Sequence, residues 1–264
     1  MRGFASQGLN DVYPSFKAIA LPNIPMIQRD DDLPQIILNA LADAGYTLRA
    51  GDVLVISSKI VSKAEGRWVR LADVVASAEA QALAQETKKD PRLVELILRE
   101  SNSISRKRVG VVVTEHRLGF VSANSGIDQS NVDDTGENIL LLPHDPDQTA
   151  RHIRATLHAA TDQQCAIVIS DTHGRPFRLG NIGVAIGVAG MQALWDRRGE
   201  RDLFGREMVA TVQGYADLVA STAHLICGEG AEGYPVVLIR GLDFPQGDGR
   251  AADLNRPPDE DLYR

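Results

Sequence analysis

The stretch DVLVISSK, residues 52–59, is a short β-branched run entered from Gly51 and left through Ser57, Ser58 and Lys59. A run of that length, bounded by glycine and polar residues, reads as a buried strand rather than a helix. Its polar exit matters as much as its apolar body, because strand ends are where binding groups are mounted. The pattern recurs at 165–170, an apolar strand that runs into VISDTHGRPFRLGN (168–181), where an acid, an imidazole, two glycines and two arginines crowd together.

Outward from these two strands the chain alternates helices and strands. DDDLPQIILNALADAG (30–45) has acids before Pro34, an apolar face of Ile36, Ile37, Ala40 and Leu41, and Gly45 as a stop, which predicts a helix. Residues 77–88 and 91–100 read as helices parted by Asp90-Pro91, and 109–114 and 118–123 as paired strands around EHRLG. A helix is expected over about 147–160. GNIGVAIGVAG (180–190) calls for close packing, 205–226 suits a long helix, and YPVVLIRG (234–241) suits a strand. The last 20 residues, rich in Asp, Pro, Gly and Arg, read as a loose tail.

Composition narrows the function classes. The chain has 264 residues, 44% hydrophobic and 24% charged, enough for one large domain or two small ones with an ample core. A net charge of −7 argues against nucleic acid, since no basic face is available to release counterions. The one basic triplet, Arg106-Lys107-Arg108, abuts the strand VGVVV and reads as a solvated strand entry. Two cysteines, Cys165 and Cys227, sit in apolar stretches, so neither a disulfide framework nor a thiolate metal site is expected. The N-terminus lacks a signal-peptide core and no run approaches the length of a membrane span, so a soluble cytoplasmic protein is expected.

Polar clusters stand where apolar elements run out: SSKIVSKAEG (57–66), ANSGIDQSN (123–131), SDTHGRPFR (170–178) and GEGAEG (228–233). Each alone has a plain structural explanation: Asp128 as a turn residue, Asp171-Thr172 as a cap, Lys59 and Lys63 as solvent-facing lysines. Together they offer oxygen donors at Asp128, Asp171, Thr172 and Glu229 with no competing Cys/His set. Such hard ligands suit magnesium or manganese rather than zinc, and lysines and an asparagine nearby suit a polyphosphate.

Two nucleotide motifs fail. No lysine stands in a Gly-Lys-Ser/Thr context, which excludes a P-loop. GEGAEG spells G-x-G-x-x-G, yet it follows a helical pattern and precedes a strand, the reverse of the order a Rossmann fingerprint requires. His173 is a possible general base, but a lone histidine in a polar loop is more often a hydrogen-bonding residue. Histidines 144, 152, 158 and 224 show no matching spacing, and no HExxH, G-x-S-x-G or triad emerges.

The blocks GDVLVISSKIVSKAEGR, SANSGIDQSN, ISDTHGRPFRLGNIGVAIGVAG, RRGERDLFGREM and GEGAEGYPVVLIRGLDF resemble, in order, the coenzyme F420-0:L-glutamate ligase family, also called F420 gamma-glutamyl ligases. The resemblance runs from about residue 20 to 245. It implies a mixed α/β (α+β) fold of two closely joined subdomains, neither Rossmann nor P-loop. The expected organisation is a variable N-terminal segment (1–20), a ligase domain (21–245) and a polar C-terminal tail (246–264). At 264 residues a stand-alone form is expected, without the nitroreductase-like domain fused to some relatives. The family members are homodimers.

The implied activity is addition of L-glutamate to coenzyme F420-0, and of further gamma-linked glutamates, driven by GTP through an acyl phosphate. The implied cofactors are two divalent cations (Mn2+ or Mg2+) and K+. By similarity Asp128 and Asp171 bind one divalent cation, and Thr172 and Glu229 the second. The GTP site would take the backbone of Ile24, Pro25, Met26 and Ile27, with Ser58, Lys59, Lys63 and Asn131. It would also take the loop Cys227, Gly228, Glu229, Gly230, Ala231, Glu232, Gly233 and Tyr234. The first of these segments reads NIPMI (23–27) where the family commonly has Gly-Leu-Pro-Leu-Ile, so Pro25 and Ile27 carry the match. Asp128, Asp171, Lys63 and Arg175 are the residues expected to act in catalysis. Arg175 and Arg178 would clamp the phosphodiester or carboxylates of the precursor, their alternative being intramolecular salt bridges. A metal-dependent nucleoside-triphosphate phosphohydrolase and a non-catalytic nucleotide sensor are the other readings these residues allow.

Overall fold

Period-two alternation in the apolar strands divides the protein into two faces of one sheet. A computed structural model describes residues 13–129, 132 and 137–262. Its strands are β1 (Lys17–Ala20), β2 (Val53–Ser57), β3 (Trp68–Arg70), β4 (Ser101–Arg108), β5 (Val111–His116), β6 (Val121–Ala123), β7 (Asn138–Leu140), β8 (Ala166–Arg175), β9 (Arg178–Ala189), β10 (Leu194–Asp196), β11 (Val212–Gly214) and β12 (Val236–Arg240). The helices are α1 (Leu33–Asp43), α2 (Ser58–Ala64), α3 (Ala78–Thr87), α4 (Pro91–Arg99), α5 (Pro146–Thr161) and α6 (Tyr215–Cys227).

The main sheet runs β1-β12-β2-β8-β9. Within it β2 and β8 are parallel, with Ser57 opposite Ser170, and the other neighbours are antiparallel. Leu54, Ile56, Ile167, Ile169 and Leu238 point to a core shared with α1 and α5. Val53, Val55, Ala166, Val168 and Val237 point to the opposite core, where Ala216, Val219 and Ala220 of α6 pack. A third core, with Val94, Ile97, Val112 and Ile139, lies in a smaller unit built from α3, α4, the β4-β5-β6 sheet and the β3-β7 pair. The fold is therefore mixed α/β. The expected helices at 30–45, 77–88, 91–100 and 147–160 are α1, α3, α4 and α5, each capped by the side chain of Asp32, Ser77, Asp90 or Asp145.

The glycines of 180–190 are used for close approach. A Cβ on Gly187 would sit 2.5 Å from the Pro146 carbonyl oxygen, and one on Gly183 would sit 2.7 Å from that of Ala220.

Four expectations change. The strand expected at 165–170 continues to Arg175 and pairs with β9, so His173 stands on a strand, not in a loop. Its polar residues obscure the alternation. The helix expected over 205–226 begins at Tyr215; before it, Asp202 accepts from the amides of Phe204 and Arg206 (both 2.8 Å), and Gly205 takes φ +78°, which builds a turn instead. The basic triplet closes its own strand, β4, rather than entering VGVVV. The tail folds back through residue 255. Gly249 N–H donates to Met191, Ala251 N–H to Asp147 and the Asn255 amide to Leu118, at 3.1, 3.1 and 3.2 Å. Its polar composition hid Ala251 and Leu254, which pack on the α6 side of the sheet. At the other end, β1 lies inside the segment expected to be variable and forms a sheet edge. No helix among the described residues is long and apolar enough to cross a membrane.

Candidate active site

The only parallel pairing among the described main-sheet neighbours, β2 with β8, ends at Ser57 and Ser170, and the residues beyond both ends enter one locality. In open sheets, ligands bind beyond the carboxyl ends of parallel strands. After β2 come Ser58 and Lys59 at the start of α2; beyond Ser170 come Asp171, Thr172 and His173. Ser58 Oγ donates to Asp171 Oδ1 at 3.0 Å, and Lys59 Nζ lies 2.8 Å from Asp128 Oδ2. Consecutive residues of one helix thus hold the two aspartates drawn from separate segments.

Asp128 reaches this place through an unusual turn. Asn124, Ser125 and Gly126 all take positive φ (52°, 54° and 62°), after which Asp128 exchanges backbone hydrogen bonds with Leu140 of β7. Left-handed backbone at serine is unfavourable, and the turn is held by a buried hydroxyl set in which Ser125 Oγ meets Thr114 Oγ1 at 2.7 Å and the Ile97 carbonyl at 3.2 Å. Gly126 passes so close that a Cβ there would lie 2.7 Å from Leu142 and 3.5 Å from Asp171 Oδ2.

On the other side of β8, Thr172 Oγ1 donates to Glu229 Oε1 at 3.0 Å, and His224 Nδ1 lies 3.2 Å from the same oxygen. Glu229 opens the loop after α6, and Gly228 at φ +72° turns it. Glu232 folds back onto this loop, accepting from Gly230 N–H at 2.8 Å, while residues 231–234 are exposed. Burial, and then the charges of Glu229 and Glu232, push the Cys227 thiol up, which argues against a thiolate nucleophile there. Ile24 is half-buried, Pro25 and Met26 are exposed, and Ile27 is buried in the α1 core. Asn131 lies outside the described residues.

Lys63, one turn beyond Lys59, is 5% exposed, with Nζ 5.3 Å from the Trp68 ring centroid. Arg175 stands apart from the acidic cluster, donating to the Leu179 carbonyl across its own hairpin at 3.2 Å, and Arg178 is exposed at the same tip. Among the described residues no three His, Cys, Asp or Glu side chains converge into a ready-made metal cage.

The sequence left two site histidines unassigned. His173 Nε2 meets Asp171 Oδ2 at 3.0 Å, a pairing legible in principle because residues two apart share a strand face. His224 carries no such signal, since its approach to Glu229 depends on how the chain turns after α6.

Sheet order and site together define a mixed α/β protein that gathers carboxylates, hydroxyls and a lysine beyond a parallel strand pair, outside the Rossmann and P-loop designs. The chain belongs to the F420-0:Gamma-glutamyl ligase family, whose model matches residues 22–241. It is 46% identical over 250 residues to the coenzyme F420:L-glutamate ligase of Methanothermobacter thermautotrophicus, covering 93% of this chain and 98% of that relative. The protein of the same name from Methanocaldococcus jannaschii is 45% identical over 230 residues, 87% of this chain and 91% of its own. That from Halorubrum lacusprofundi is 44% identical over 236 residues, 87% and 89%.

Proposed function

We propose that this chain joins L-glutamate to coenzyme F420-0 at the expense of GTP, and adds further glutamates through gamma linkages. The observation that carries the reading is the family match across 22–241, combined with the Ser58–Asp171 and Lys59–Asp128 contacts where the β2–β8 pairing ends and the Thr172–Glu229 contact on the other side of β8.

A free carboxylate is a poor acyl donor because its leaving group would be oxide. In the proposed path a precursor carboxylate oxygen attacks the γ-phosphorus of GTP, GDP departs, and an acyl phosphate forms. The glutamate amino group then attacks the acyl carbon, phosphate leaves, and the amine gives up a proton. The protein's part is positioning and charge compensation, which dominate phosphoryl transfer. Lys59 supplies a point charge, Ser58 orients Asp171, and the loop 227–234 flanks the nucleotide together with residues 24–27.

The donor chemistry fits divalent cations: carboxylates and a hydroxyl, without thiolate. Pairs of donors would leave coordination positions for phosphate oxygens, as magnesium sites usually do. Asp128 with Asp171, and Thr172 with Glu229, would each hold one. When bound, such cations neutralise triphosphate charge and orient its oxygens. K+ is a further proposed requirement. A homodimer is part of the same reading, supported by the exposed apolar side chains of Phe177, Leu179, Leu203 and Phe204, and a cytoplasmic location is proposed with it.

The test is incubation of the purified chain with GTP, Mn2+, L-glutamate and F420-0, with products weighed by mass spectrometry. Glutamylated product, with GDP release that depends on both glutamate and F420-0, is expected. GTP cleavage without either substrate would turn the reading to a phosphohydrolase, and tight GTP binding without turnover would turn it to a sensor.

A further inference from the structure

We infer that His173 is a positioning residue that fixes the Asp171 carboxylate through its Nε2 edge, an inference that rests on Asp171 being a ligand of a divalent cation. Asp171 is gripped at both oxygens, by Ser58 Oγ at Oδ1 and by His173 at Oδ2, each at 3.0 Å. Two bonds from opposite ends of a carboxylate fix its plane as well as its place. Outer hydrogen bonds of this kind hold metal-ligating groups in the geometry the ion needs.

The imidazole is itself braced. Its side chain is 9% exposed, and its ring lies against Phe120 with centroids 4.8 Å apart. Phe120 in turn stacks on His116 at 5.0 Å with the planes 3° apart. His116 is fully buried and accepts the Leu118 amide at Nδ1, at 3.0 Å. A ladder of three rings therefore runs from β5 of the smaller unit to the Asp171 carboxylate on β8.

The other edge of His173 is different. Nδ1 has no protein partner among the described residues, and the side chain borders a cavity of about 170 Å³ also lined by Asp147, Asp217, Val184 and Ala185. Only Nε2 connects the ring to the site. A glutamine amide nitrogen extends about as far from the backbone as Nε2, whereas an asparagine nitrogen mimics Nδ1, so the two amides discriminate between the edges.

The experiment is Mn2+ binding to the full chain, read as free Mn2+ by electron paramagnetic resonance with and without GTP, alongside thermal melting. His173→Phe, which keeps the stack and removes the donor, is expected to weaken Mn2+ about 10–100-fold. His173→Asn should fall with it, and His173→Gln should stay within about threefold of wild type. Wild-type Mn2+ affinity in His173→Phe, or a His173→Gln protein that melts normally yet binds as weakly as His173→Asn, would overturn the inference. Asp171→Asn separates the two levels: if it leaves Mn2+ binding unchanged, the cation reading of the site fails first, whereas if it alone abolishes binding, only the role of His173 fails.

Discussion

The carboxylate of Asp171 receives a hydroxyl at one oxygen and an imidazole at the other, while Asp128 faces Lys59. Changing Asp171 to Asn keeps the shape and removes the charge. Glutamylation is expected to drop by about 100-fold or more, the size of effect seen when a preorganised electrostatic group is removed from reacting atoms, with little change in melting temperature. Gly126 makes a separate demand. Its φ of +62° and the 2.7 Å approach of Leu142 to a would-be Cβ predict that Gly126→Ala destabilises the protein by about 1–3 kcal/mol, readable as a lower urea midpoint. Asp128, Asp171 and Glu229 could be singled out from sequence because acids cluster there with other polar residues where apolar runs end. Nothing in the sequence said that Ser58 and Lys59 would divide the two aspartates between them, since that depends on β2 lying beside β8.

At the scale of elements, β9 is the outer strand of the main sheet, and two of its amides point away from β8. Asp217, in the first turn of α6, accepts from Ala185 N–H, and Asp147, in the first turn of α5, accepts from Val188 N–H, both at 2.8 Å. Side chains thus close positions that an edge strand would otherwise leave open to another chain. Burial pushes both carboxyls up, more than these amides bring them down, a sign that the groups are held in place despite desolvation. Asp217→Ala should cost about 1–3 kcal/mol by leaving a buried amide unsatisfied, and should speed hydrogen exchange at Ala185. Helices α1, α3, α4 and α5 were legible because turn-breaking residues and apolar faces are local signals, whereas α2 was hidden in a polar cluster after β2. The start of α6 and the length of β8 were not, because one is set by a turn around Asp202 and the other by pairing with β9.

For the whole molecule, the joint between the main sheet unit and the smaller unit centres on Glu100. Arg67 donates to both its oxygens at 3.0 and 2.9 Å, Arg117 donates at 3.0 Å, and the two arginines also bond the carbonyls of Leu142, Pro143 and His144. Burial raises the Glu100 carboxyl, but the His116 imidazole and the two guanidiniums outweigh it and hold the group at about 2, below the usual 4.5. With the folded value depressed, its stabilising contribution is present above pH 4.5 and is lost as the pH falls through about 2. Glu100→Gln should lower stability by about 1–3 kcal/mol at neutral pH, because two half-buried guanidiniums lose the carboxylate they donate to, and should flatten the loss of urea midpoint below pH 4.5. The sequence by itself determined the apolar cores of the strands, four of the helices, the exclusion of P-loop and Rossmann motifs, and the family, because those are written in spacings of a few residues and in ordered blocks. Tertiary structure alone decided which acid meets which hydroxyl, where the two histidines stand, and how the tail packs, because those contacts join residues up to 137 positions apart and exist only once strands have chosen their neighbours.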